Sequence, residues 1–200
     1  MNRLKKHFIL TIFCIILIPF IRLAAGMTNQ TTSKDTIIID FSHEADYENW
    51  RIVNDGVMGG ISQSVMLAGD SATAIFQGNV SLENNGGFAS VRMMSREFNL
   101  DGYEGIEIRV RGDGKKYQFR IRVDNRFDGI SYRHIFETNK GQWMLIRLPF
   151  SDFVPTFRGR ILDEDPLSPD QIQQVGFLIA DKQEGNFKLD IDWIKAYREK

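Results

Sequence analysis

Cysteine is almost absent from this 200-residue chain: Cys14 is the single one, and it lies inside an apolar N-terminal run. Everything after that run therefore lacks disulfides, a thiol nucleophile and thiolate metal sites. Histidine is nearly as scarce. Beyond residue 26 only His43 and His134 occur, far apart and outside any HExxH spacing, which argues against a transition-metal centre. No GxSxG elbow presents a serine nucleophile, and no glycine loop has the lysine of a phosphate-binding P-loop or the GxGxxG spacing. Carboxylates are numerous, but nothing in their spacing singles out a glycosidase-like pair. These absences lead to the expectation that the protein is not an enzyme, holds no metal and needs no cofactor.

Excess positive charge is also missing. The formal net charge is −1, and four of the 25 basic residues (Arg3, Lys5, Lys6 and Arg22) fall in the first 26 positions. The remaining 21 basic residues face 26 acidic ones, a balance of −5, so nucleic acid is not expected as a partner.

The first 26 residues read differently from the rest. A basic start, an apolar run from Phe8 to Ile21 and the small residues Ala24, Ala25 and Gly26 have the layout of a secretory signal peptide. The run contains Pro19 and is shorter than the roughly 20 residues a spanning helix needs, so a cleaved leader is expected over a permanent anchor. Membrane contact is then expected only through this segment, if it stays uncleaved. A mitochondrial presequence is disfavoured because the middle is apolar all round rather than amphipathic. Export without disulfides suits a bacterial periplasm or cell envelope; initiation at Met27 would leave the same domain cytoplasmic. Residues 27–35 read as a polar tether and 36–198 as one domain.

Within that domain the dominant signal is alternation of period two. Ile106, Ile108 and Val110 oppose Glu107, Arg109 and Arg111; Tyr117, Phe119, Ile121 and Val123 oppose Gln118, Arg120, Arg122 and Asp124. One apolar and one wet face per strand indicates antiparallel sheets. Ten strands are expected, at 36–41, 61–67, 72–77, 87–93, 106–111, 117–123, 131–137, 143–148, 175–180 and 187–194. Gly112-Asp113-Gly114 reads as a tight hairpin turn between the fifth and sixth. One short helix is expected after Ser168, with Pro169 at its first position. The pattern is all-β, a sandwich or jelly roll of about ten antiparallel strands with little helix.

Three features are candidates for function. In Asn54-Asp55-Gly56-Val57-Met58-Gly59-Gly60-Ile61-Ser62, glycines surround an apolar pair, and Met58 is expected to plug one end of the sandwich. Asn84-Asn85-Gly86-Gly87-Phe88 reads as a second glycine turn. The third is an arginine face, with Arg109 and Arg111 beside Arg120 and Arg122 across the expected hairpin, extended by Arg133 and Arg147. Arginine forks bind carboxylate or phosphate and stack on planar rings, so the face suits an acidic protein or a sugar. Glu104, Glu107 and Asp124 are the expected balancing charges.

Taken together, these segments resemble the complex I intermediate-associated protein 30 family. The resemblance runs through Asn54 to Ser62, Phe76 to Ser90, Arg109 to Gly114 with Tyr117, Leu148 to Phe153, Arg158-Gly159, Gly176-Phe177 and Asp181 to Leu189. It implies a galactose-binding-like jelly roll and a non-catalytic role. Eukaryotic members are assembly factors for respiratory complex I that hold its membrane-arm intermediates. The expected partner is accordingly a protein or complex-assembly intermediate, contacted through Asp55, Met58, Gly59, Gly60, Ser62, Asn85, Gly86, Gly87, Phe88 and Asp113, with the arginine face available. The alternative is an envelope carbohydrate-binding module in which Tyr103, Tyr117, Tyr132 or Trp143 stacks on a sugar.

Overall fold

A computed structural model describes residues 35–94 and 97–198. The expected leader and all but the last residue of the tether lie outside the described residues.

The described chain folds into thirteen strands: β1 (Thr36–Ile39), β2 (Trp50–Ile52), β3 (Gln63–Ala68), β4 (Ala74–Val80), β5 (Ala89–Met93), β6 (Gly105–Arg111), β7 (Lys116–Arg122), β8 (Ser131–Glu137), β9 (Trp143–Pro149), β10 (Val154–Phe157), β11 (Arg160–Ile161), β12 (Gln174–Ile179) and β13 (Gly185–Tyr197). One sheet has the order β3-β4-β13-β6-β9, with β1 also pairing to β13; the second runs β11-β10-β8-β7-β12-β5-β2. Every pairing is antiparallel. The only α-helix among the described residues is the four-residue α1 (Ala45–Glu48).

The two sheets bury their apolar parities against each other. Ile106, Ile108 and Val110 of β6 face Phe119, Ile121 and Phe177 of the second sheet within one core. Its aromatic centre includes edge-on contacts of Phe119 with Phe177 at 5.2 Å and of Phe76 with Phe187 at 4.9 Å. Burying one such ring contributes about 2–3 kcal/mol, so the alternation in the sequence is the main source of the architecture.

Three expectations change. Gly112-Asp113-Gly114 is not a hairpin turn: β6 pairs with β13 and β9, whereas β7 pairs with β8 and β12, so the segment carries the chain from one sheet to the other. Asp113 holds the crossing, accepting hydrogen bonds from the Lys115 amide (3.1 Å), the Tyr117 hydroxyl (3.0 Å) and the Lys188 amide (3.0 Å). The expected helix after Ser168 is a single 3-10 turn, Pro169–Gln171. The Ser168 hydroxyl donates to Asp170 Oδ1 instead of capping a helix, and Ile172 is drawn into a bridge with Phe98. Strands β2, β10 and β11 were not expected; all three are short, and β10 contains Pro155.

Candidate functional site

The glycine-rich segment after β2 is organised by Asp55, which is completely buried. Its Oδ1 accepts from the Ser62 amide (2.9 Å). Its Oδ2 accepts from the Ser62 hydroxyl (2.5 Å) and the amides of Gly87 (2.7 Å) and Phe88 (3.3 Å). Ser62 Oγ in turn accepts from the Ser81 amide at 3.0 Å. One carboxylate thereby ties together three stretches: the turn Asp55–Met58, the start of β3 and the 81–88 connection. Burial by itself raises the Asp55 pKa, but the bonds from the Ser62 hydroxyl and the three amides outweigh it and hold the group below the ordinary carboxylate value.

The glycines around Asp55 follow from its position. A Cβ on Gly60 would stand 2.4 Å from Asp55 Cγ, and one on Gly86 would stand 2.7 Å from Oδ2. Gly59 closes the turn at φ +93°, a conformation side chains rarely adopt. Met58 does not plug the sandwich: it is 54% exposed, and Val57 beside it is 62% exposed. The buried plug is the carboxylate, and the apolar pair points outward because the turn is pinned from below. Ile61 and Leu82 on the same tied stretches are also exposed. Phe88 hydrogen-bonds into the knot through its backbone, and Asn85, in the left-handed region at φ 60°, turns the chain toward Gly86. Asn54, Gln63, Gln77, Asn79 and Asn186 line an adjoining groove of about 670 Å³ on the outer side of β3, β4 and β13.

The single arginine face of the sequence reading is divided, because its two halves belong to different sheets. Arg109 and Arg111 lie on the first sheet, where their partners come from β13 rather than from the expected Glu104, Glu107 or Asp124. Arg109 pairs with Asp192 and Arg111 with Asp190 at 2.8 Å, and both guanidiniums lie over the Trp143 ring, at 4.6 and 4.9 Å from its centre. Arg147 also belongs there, bonded to Glu107 at 2.9 Å.

On the outer face of the second sheet the register sets a row across six strands. Val154 opposes Arg133, Arg133 opposes Arg120, Arg120 opposes Gly176, Gly176 opposes Arg92, and Arg92 opposes Arg51. Arg122, two residues beyond Arg120, shares this face and is only 9% exposed. Their hydrogen bonds go to neutral acceptors. Arg120 donates to Gln118 Oε1 (2.7 and 3.1 Å) and Ser131 Oγ (2.9 Å), Arg122 to the Gly129 carbonyl (2.7 Å), and Arg92 to the Phe127 carbonyl (2.8 Å). Burial first, then repulsion by neighbouring arginines, brings Arg120 and Arg92 down to about 10. The sequence reading named Arg120, Arg122 and Arg133 but missed Arg92. The apolar parity of Val91 and Met93 pointed to its side of the strand, but only the strand order places it beside the others.

The rings considered for sugar stacking are committed elsewhere. Tyr117 and Tyr132 are core residues, Trp143 lies beneath two guanidiniums, and Tyr103 bonds Thr36 and lies under Arg198. Among the described residues no group of three or more His, Cys, Asp or Glu is placed to hold a metal ion.

With this geometry in place, residues 39–191 match the profile of the complex I intermediate-associated protein 30 family. The chain belongs to that family. Its relatives include the mouse mitochondrial complex I intermediate-associated protein 30, 27% identical over 80% of this chain and 56% of the mouse protein. The probable mitochondrial counterpart of Caenorhabditis briggsae is 29% identical over 70% of this chain and 47% of that protein. The chain thus spans about half the length of the curated relatives it matches. Among solved structures, it is similar to a family 11 carbohydrate-binding module from Clostridium thermocellum bound to a mixed-linked tetrasaccharide. The TM-score is 0.64 and the identity 17%, over 82% of this chain and 95% of the module; at that identity the likeness establishes the β-sandwich fold alone.

The family relatives correct the expected localisation. The mouse, nematode, Drosophila and Neurospora proteins are all named mitochondrial, which points to mitochondria rather than a bacterial periplasm or envelope. The residues that suggested a secretory leader lie outside those described. A basic start before an apolar run resembles a secretory leader in composition, but composition alone did not identify the compartment.

Proposed function

We propose that this protein is a non-catalytic binding module that associates with intermediates in the assembly of respiratory complex I, presenting the Asp55 loop end to a protein partner. The observation that carries this reading is the exposed apolar turn at Val57 and Met58, held rigid by a buried carboxylate with four donors. Exposed apolar side chains on a fixed backbone bind a partner without a large ordering cost. Asp55, Gly59, Gly60, Ser62, Gly86, Gly87 and Phe88 shape this surface from beneath. The family to which the chain belongs supports the same reading.

The test is crosslinking of the tagged full chain in its native cells, with native gels of complex I alongside. Crosslinked subunits of complex I intermediates are expected, with recovery falling about tenfold in a Val57→Asp, Met58→Asp variant whose unfolding midpoint is unchanged. Recovery unaffected by the double substitution would remove the loop end from the contact. The amide-lined groove beside Asn54 favours a second reading, glycan binding. Retention on a mixed-linkage glucan gel, lost on Asn79→Ala and accompanied by no protein crosslinks, would establish it in place of the first.

A further inference from the structure

We propose that the outer face of the second sheet is a binding site for an oxyanion, a phosphate or carboxylate group, held by the guanidiniums of Arg120 and Arg92. Three observations converge on it. The first is the row of like charges. Arg51, Arg92, Arg120 and Arg133 stand in one cross-strand line with Arg122 beside it, an arrangement that is repulsive unless countered.

The second is the absence of a direct ion pair. Among the described residues, none of Arg92, Arg120, Arg122 and Arg133 forms an ion pair. The nearby carboxylates make their direct contacts elsewhere and reach Arg122, Arg92 and Arg120 only through space: Asp124 pairs with Arg126 at 2.6 Å, Asp128 with Arg158 at 2.7 Å, and Asp181 accepts from Gln118 Nε2 at 3.3 Å. The first sheet gives Arg109 and Arg111 an aspartate each, so the second sheet's omission is not a general habit of the fold. The third is the floor of the row. Gly176, itself buried, is the residue between Arg120 and Arg92, whose backbones are two strand spacings, or about 10 Å, apart. A Cβ there would stand 2.6 Å from the Val91 carbonyl, so the position has no room for a side chain. With no side chain between them, two guanidiniums carried on either side of this residue suit an oxyanion's several acceptor lone pairs.

The face is also built to keep its shape. The 124–130 connection is fastened over it by Arg92 and Arg122 and by Gln174 Nε2, which donates to the carbonyls of Asp124 (2.8 Å) and Arg126 (3.2 Å). Gln174 Oε1, buried beside Arg122, has no donor. Gln118 and Ser131 orient Arg120, which keeps further N–H groups for a ligand. Occupation of this face does not require the Asp55 loop end, so it is separable from the proposed protein contact.

The experiment is calorimetric titration of the purified full chain with inorganic phosphate and, separately, with succinate, ionic strength being held constant with chloride. Saturable binding with a dissociation constant on the order of 1 mM or tighter is expected for at least one probe. Arg120→Gln should weaken it about tenfold and Arg133→Gln about threefold, while Arg111→Gln on the other sheet leaves it unchanged. Tighter phosphate binding identifies a phosphoryl ligand, and tighter succinate binding a carboxylate ligand. Should Arg120→Gln fail to fold, Arg133→Gln carries the test, because that side chain makes no hydrogen bond or ion pair within the described chain. Absence of saturation by both probes, or equal weakening by Arg111→Gln, would overturn the assignment.

Discussion

Charge is handled in opposite ways at the Asp55 knot and along the arginine row. At the knot, one buried anion has every strong contact it needs from within the chain, and the surrounding glycines exist to make room for it. Along the row, several partly buried cations are given only neutral acceptors, and the nearest carboxylates are engaged elsewhere. The first arrangement stabilises the fold by itself; the second has hydrogen bonds to neutral groups, with carboxylates acting on it only from a distance. A buried group that is fully partnered within the chain reports on structure, whereas one left short of its counter-charge points outward to a ligand.

The largest expected effect comes from breaking the knot. Asp55→Ala leaves four donors without their acceptor and should cost about 3 kcal/mol or more in urea denaturation. The same contrast has a pH signature. The Asp55 pKa is lowered in the folded state from an ordinary value of 3.8, so the unfolded chain takes up the proton first as pH falls. The stability it contributes is therefore complete above the ordinary value and lost as pH drops through the lowered folded one. The stability gap between the protein and Asp55→Asn, followed by denaturation at a series of pH values, should be constant above 3.8, narrow as pH falls below it, and level off once pH is below the lowered folded value.

Next in size is Gly60→Ala, whose Cβ meets Asp55 Cγ; a loss of about 2 kcal/mol is expected, read from the unfolding midpoint. A smaller effect is expected on the first sheet. Asp190→Asn removes the charge of a buried carboxylate from the partly exposed Arg111 and from Lys188 and should cost about 1 kcal/mol, less at high salt. The smallest is on the arginine row. Arg133→Gln removes one of the repelling charges and should change stability by no more than about 0.5 kcal/mol, or raise it slightly, in low-salt buffer. If Arg133→Gln destabilised as much as Asp190→Asn, the two sheets would not differ in the way described.

The residues reveal some of this directly. Period-two alternation places Tyr117, Phe119 and Ile121 inside and Arg120 and Arg122 outside, and the structure has them there. Alternation gives the side of a strand but not the sheet to which the strand belongs. Gly112-Asp113-Gly114 satisfies the chemistry of a tight turn and of a crossing between sheets equally well, so Arg109 and Arg120 looked like neighbours when they are not. The glycine motif was visible, but its centre was misplaced on Met58. A methionine among glycines suggests a plug by hydrophobicity, while the true plug is a charged residue whose four donors come from positions up to 33 residues away. Arg92 escaped notice for a related reason: its neighbours on the row come from β2, β12 and β7, and no short-range pattern links them.

The placement of β13 bears on how the domain is made. This strand is the last in chain order, yet it lies in the middle of the first sheet, pairing with β1, β4 and β6. Until residues Gly185–Tyr197 have emerged from the ribosome, β4 and β6 have no common neighbour, and the apolar sides of both sheets stay uncovered. Folding of the sandwich is therefore held back until this strand is available, and until then the chain carries apolar surface that favours aggregation.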